Sequence, residues 1–140
     1  MRRDLLIIAI LVIGVIAVAM VAVPLVFGPS SAEITSVSTD KDLYHSNEIM
    51  KIAISVNARG SSEDATIRLS GIRDRHGDLR LEKDLPVTLS MGPNTMIYDY
   101  QLPPCSSCAG LEPGIYQIEV ELIRNGTVVS NTSRSIRIEQ

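Results

Sequence analysis

Tyr116-Gln-Ile-Glu-Val-Glu-Leu-Ile-Arg-Asn-Gly-Thr127 alternates apolar and polar side chains up to Leu122 and then breaks at Asn125-Gly126. Strict alternation places Tyr116, Ile118, Val120 and Leu122 on one face of a strand and Gln117, Glu119 and Glu121 on the other. Asn-Gly tolerates the positive φ angles of a tight hairpin, so a second strand is expected to return directly. Ile136 and Ile138 close that return. Upstream the same period recurs in Met50, Ile52, Ile54 and Val56, in Ile67 and Leu69, in Val87 and Leu89, and in Met96, Tyr98, Tyr100 and Leu102. Arg75-His-Gly-Asp78 and Ser90-Met-Gly-Pro-Asn94 supply turn chemistry between these runs. Each run offers one buried and one wet face, which is the pattern of antiparallel sheets. The reading is all-β: an antiparallel β-sandwich of seven or eight strands, with a barrel as the lesser alternative and no helix inside the domain.

The segment before this domain has a different period. Leu5 to Phe27 is continuously apolar, without a charge or strongly polar side chain. A helix of that length spans about 34 Å, slightly more than the roughly 30 Å hydrocarbon core of a bilayer. A single N-terminal transmembrane α-helix is therefore expected over residues 5–27, in contact with membrane lipid. Arg2 and Arg3 flank it on one side, and no Lys or Arg follows until Lys41. This asymmetry keeps residues 1–4 in the cytoplasm and sends the domain to the extracytoplasmic side of the cell membrane. A cleaved signal peptide is the alternative, but its apolar core is shorter and its small-residue site follows that core, whereas Ala17-Val-Ala19 lies inside this one. Gly28 to Ala32 reads as a linker, and residues 33–140 as the outer domain.

The chain has 140 residues, 45% of them apolar and 4% aromatic, with a formal net charge of −3 and no Trp. From Pro29 onward there are fifteen acidic and eleven basic residues. Such a body lacks the basic clusters that displace counterions from a phosphate backbone, so no nucleic-acid partner is expected. No Gly-x-Ser-x-Gly, His-Glu-x-x-His or glycine-rich phosphate loop is present, and neither catalysis nor a cofactor is expected.

Three stretches carry a resemblance. Ser38-Thr-Asp-Lys-Asp-Leu-Tyr-His-Ser-Asn-Glu-Ile-Met-Lys-Ile52 resembles the opening of macroglobulin-type immunoglobulin-like domains, with Asn47 where the family pattern has a turn glycine. Ile72-Arg-Asp-Arg-His-Gly-Asp-Leu79 resembles their Asp-x-x-Gly hairpin, and Leu111-Glu-Pro-Gly-Ile-Tyr116 their lead into a late strand. Similar patterns occur in adhesion-type sandwich modules of prokaryotic, especially archaeal, membrane-anchored surface proteins. The resemblance implies an immunoglobulin-like sandwich. The thioester sequence of the protease-trapping members is absent, so that activity is not implied. Tyr116 is a candidate tyrosine corner, its hydroxyl bonded to upstream backbone.

Cys105-Ser-Ser-Cys108 lies between Pro103-Pro104 and Gly110. Outside the membrane a disulfide between Cys105 and Cys108 is the leading reading. A redox-active pair, or metal handling, stays open as an alternative. His45 and His76 are too far apart in sequence to complete a zinc set, and Asp40 with Asp42 or Asp74 with Asp78 lacks the ligand density of a calcium loop. Asn125-Gly-Thr127 and Asn131-Thr-Ser133 are N-glycosylation sequons, chemically available on the outer side. Arg68, Glu119 and Glu121 on the wet faces are candidate contacts, and Arg134 and Arg137 are candidate guards of an exposed strand edge. The expected role is structural: an anchored module contacting an envelope or surface protein. The alternatives are a thiol–disulfide or metal-handling protein, and an accessory subunit of a membrane complex; archaellum stator subunits share the layout of one helix and an outer sandwich.

Overall fold

The computed structural model of the chain describes residues 31–104 and 111–139. They form eight strands: β1 (Ser31–Thr39), β2 (Leu43–His45), β3 (Ile49–Arg59), β4 (Glu63–Arg73), β5 (Leu79–Leu89), β6 (Gly92–Gln101), β7 (Gly114–Arg124) and β8 (Thr127–Glu139). One sheet has the order β1-β3-β6, the other β2-β8-β7-β4-β5. The two hairpins β4–β5 and β7–β8 stay within the second sheet, while the other connections change sheets. This is sheet-on-sheet packing and not a closed barrel. The expected anchor at residues 5–27 lies outside the described residues.

The alternating runs become the central strands. Ile52 and Ile54 of β3, Ile67 and Leu69 of β4, and Ile118, Val120 and Leu122 of β7 are fully buried between the sheets. Each such side chain contributes on the order of 1.5–3 kcal/mol through removal of apolar surface from water. The hairpin at Asn125-Gly126 has φ of 50° and 76°, the positive values its sequence implies. Asn47 replaces the expected glycine at φ 65°, which a short side chain able to bond locally tolerates.

Several boundaries differ from the sequence expectation. β1 begins at Ser31 and takes two residues from the expected linker. It carries only one buried apolar side chain, Ile34, so its alternation is faint. β8 is thirteen residues long, although only Ile136 and Ile138 mark it in the sequence. The reason is its register: Ser130, Thr132 and Arg134 pair with Leu122, Val120 and Ile118, so polar residues occupy the inward positions of its first half. β2 runs parallel to β8, the one departure from antiparallel pairing. Along β4 the buried positions shift phase where Gly71 (φ 145°) and Ile72 (φ 51°) follow each other, and both face the interior. Gly71 passes so close to β7 that an added Cβ would stand 2.2 Å from the Gln117 carbonyl oxygen.

Candidate functional site

The residues with the most pronounced chemistry lie in or beside the three stretches that resemble the immunoglobulin-like families, and there they hold the fold. Between β1 and β2 the chain leaves one sheet for the other. Asp40 sits at that crossing and accepts hydrogen bonds on Oδ1 from the Tyr44 hydroxyl at 2.6 Å and the Lys51 N–H at 2.8 Å. The Tyr44 oxygen in turn accepts from the Lys41 N–H at 2.9 Å, and its ring lies wholly in the core. The Tyr44 hydroxyl and the Lys51 N–H hold the Asp40 carboxyl below its ordinary range. Burial, reinforced by Asp40, pushes the Tyr44 hydroxyl up to about 12. Glu48, four residues on, accepts from the His45 N–H at 3.1 Å and from Lys41 Nζ at 3.3 Å. The Thr-Asp-Lys-x-x-Tyr pattern is thus a latch at the sheet crossing.

The β4–β5 hairpin has a latch of its own. Asp74 is buried, and its Oδ1 accepts from the His76 N–H at 2.8 Å and the Asp78 N–H at 3.0 Å. Its Oδ2 accepts from Arg80 Nε at 3.0 Å and pairs with the other end of that guanidinium at 2.7 Å. Burial raises this carboxyl, but the two backbone donors and Arg80 outweigh it and the net shift is downward. Gly77, at φ 88°, closes the turn by donating to the Asp74 carbonyl. At the start of β7, the Tyr116 hydroxyl donates to the Glu112 carbonyl oxygen and accepts from the Glu112 N–H at 3.1 Å.

These geometries bear on the metal-ligand candidates. The lone pairs of Asp40 and Asp74 face N–H and O–H donors. Asp42 pairs with Arg134, and Asp78 donates its N–H to Asp74. His76 Nε2 accepts from Arg75 Nε, and His45 Nδ1 lies 3.9 Å from Glu48. Among the described residues no three His, Cys, Asp or Glu side chains converge on one point. Cys105 and Cys108 lie outside the described residues.

The outer faces remain as binding surface. Across the five-stranded sheet, Asp84 of β5, Arg68 of β4 and Glu121 of β7 stand in register, and Arg68 bridges the two carboxylates at 2.8 Å and 3.9 Å. Arg68 holds the Asp84 carboxyl below its usual value. Glu119 lies one position along, opposite Ser133 on β8. Asn131 is exposed on this same face opposite Glu121, and Asn125 is exposed at the hairpin tip beside a shallow cleft of about 450 Å³ bordered by Asp64, Thr66, Thr88 and Gly126. Arg137 sits inside the β2–β8 ladder, whereas Arg134 lies on the part of β8 that β2 leaves uncovered, bonded to Asp42. Sequence reasoning missed the Asp40–Tyr44 latch and the Asp84–Arg68–Glu121 row. The i, i+4 spacing of Asp40 and Tyr44 was the available signal for the first. The second needed the strand register.

No family model matches the chain, and no curated protein matches it. Solved structures do. The CARDB domain of a Pyrococcus furiosus protein, in complex with di-metal ions, superposes with TM-score 0.52 at 15% identity, covering 78% of this chain and 91% of that one. A proposed beta-galactosidase of Bacteroides fragilis gives 0.56 at 16% identity over 74% of this chain and 17% of that one. The alkylpurine DNA glycosylase AlkC of Pseudomonas fluorescens, bound to DNA with an abasic site analogue, gives 0.58 at 9% identity over 79% of this chain and 31% of that one. The chain thus spans under a third of the two enzymes it overlays. At these identities the likeness is one of fold, and with the strand order it makes the described residues an immunoglobulin-like β-sandwich.

Proposed function

We propose that this protein is a membrane-anchored interaction module of the cell envelope, its sandwich displayed on the extracytoplasmic side and making contacts without performing chemistry. The observation that carries the reading is the occupation of its distinctive polar residues. Asp40, Tyr44, Glu48, Asp74, Arg80 and Tyr116 are all engaged in holding turns and sheet crossings. The outer sheet faces and strand edges are left as the surface on which selection for a partner can act. The apolar run Leu5–Phe27 and the Arg2-Arg3 flank supply the anchor and its orientation. The CARDB domain and the matching portions of the larger enzymes share this fold, which supports reading it as a module.

The anchor and the orientation are tested together. In intact cells a membrane-impermeant amine reagent is expected to label Lys51 and Lys83, both exposed in the sandwich, and the intact chain is expected to stay with membranes after alkaline washing. Absence of labelling before lysis, or recovery of the whole chain in the soluble fraction, would overturn the assignment. Cross-linking in native membranes then names the neighbour.

A further inference from the structure

Four strands end the sheet orders, β1 and β6 in one sheet and β2 and β5 in the other. The part of β8 that β2 leaves uncovered lies against β1, whose Ile34 N–H donates to Ser130 Oγ at 3.1 Å. Three of the four end strands carry features that hinder a further strand. β1 is bulged between Ile34 and Ser36, and β2 has only three residues. β5 sets the charged Lys83 at an inward-facing position in register with Leu69. β6 differs. Its register with β3 is unbroken from Gly92 against Ala58 to Gln101 against Ile49. Its single charge, Asp99, is paired with Lys51 at 3.4 Å, and Ile97 near its middle is 67% exposed.

The direction of the free backbone groups follows from one bond. The Leu102 N–H donates to the Glu48 carbonyl at 2.9 Å, continuing the β3–β6 ladder. Antiparallel pairing alternates, so even-numbered residues of β6 turn their backbone groups toward β3 and odd-numbered ones turn away. Pro93, which has no N–H, falls in the outward set. Thr95, Ile97, Asp99 and Gln101 then present their N–H and C=O groups outward. On the inner face Met96, Tyr98 and Tyr100 are only partly buried, whereas their β3 partners Ile54, Ile52 and Met50 are fully buried. The core is thinly covered along this edge.

We propose that β6 is a self-association edge: two copies of the chain pair antiparallel through β6 about a two-fold axis at Ile97. The sequence is self-complementary in that register. Ile97 meets Ile97 of the second copy, Thr95 places its hydroxyl opposite the Asp99 carboxylate, and on the inner face Met96 meets Tyr98 and Asn94 meets Tyr100. The two Asp99 side chains do not face each other. About eight backbone hydrogen bonds form, each from a residue in the outward set. Strand pairing covers less than the ~800 Å² per partner of a standard interface, so the dimer is concentration-dependent.

The test uses the full chain in detergent. Light scattering is expected to show a mass rising from monomer toward dimer with protein concentration. Ile97→Lys, which sets like charges against each other at the axis, weakens that association by roughly tenfold or more and leaves the circular dichroism spectrum unchanged. In a Cys105→Ser/Cys108→Ser background, Ile97→Cys cross-links to itself under mild oxidation while Thr95→Cys does not, because the register separates the two Thr95 positions. A monomeric mass at every concentration overturns the proposal. So does a dimer indifferent to Ile97→Lys, self-linking by Thr95→Cys but not by Ile97→Cys, or a different protein found seated on β6.

Discussion

Tyr44 fills the core with its ring and needs a partner there for its hydroxyl, and Asp40 provides one. Removing the oxygen by Tyr44→Phe leaves the Lys41 N–H without its acceptor and deprives Asp40 of one of its two donors. The expected cost is about 1–3 kcal/mol, read as a lower urea midpoint with unchanged slope. The spacing of Asp40 and Tyr44 was visible in the sequence, as were the positive φ values at Asn47 and Asn125, because these depend on neighbours along the chain. The Arg68 contacts were not visible. Whether a charge on a wet face is free or bridged depends on which strand lies beside it, and local pattern says nothing about that. The same holds for Arg134: alternation around Ile136 and Ile138 gives the inward phase, but only the position of β2 shows that Asp42 reaches it.

At the scale of strands, legibility followed burial. β3, β4 and β7 are central, buried on one face, and their alternation was plain. β1 and β2 are edge strands with one buried apolar side chain each, Ile34 and Tyr44, and periodicity could not mark them. The β4–β7 contact has one especially tight point. Gly71→Ala would drive a methyl group to 2.2 Å from the Gln117 carbonyl oxygen and strain a φ of 145° as well. Relief requires the two strands to separate, so a loss on the order of 3 kcal/mol or more is expected, with faster amide exchange at Ile118 and Val120. Gly92→Ala is the control. Its φ is 98° but no atom lies within 4 Å of the added carbon, so only the backbone strain of about 1 kcal/mol should appear.

For the whole molecule the latches predict an asymmetric pH response. Asp40, Glu48, Asp74 and Asp84 all hold their charge more firmly in the folded state than in the unfolded chain. Their contribution is complete above the unfolded carboxylate range near pH 4 and is lost as the pH falls through the lowered folded values. Tyr44 acts at the other end. Its contribution is complete below about pH 10 and is lost as the pH rises toward about 12. Thermal unfolding should therefore show a broad plateau with losses below pH 4 and above pH 10, and Asp40→Asn should flatten the acid limb. The short β2–β8 ladder matters differently. Leu43–His45 run in the same direction as Arg137–Glu139, so a pull on residue 31 against a pull on residue 139 drags the two segments lengthwise past each other. Their bonds then carry the load together instead of peeling open singly, and a molecule tethered at one end and tugged at the other resists tearing at a clasp of three residue pairs.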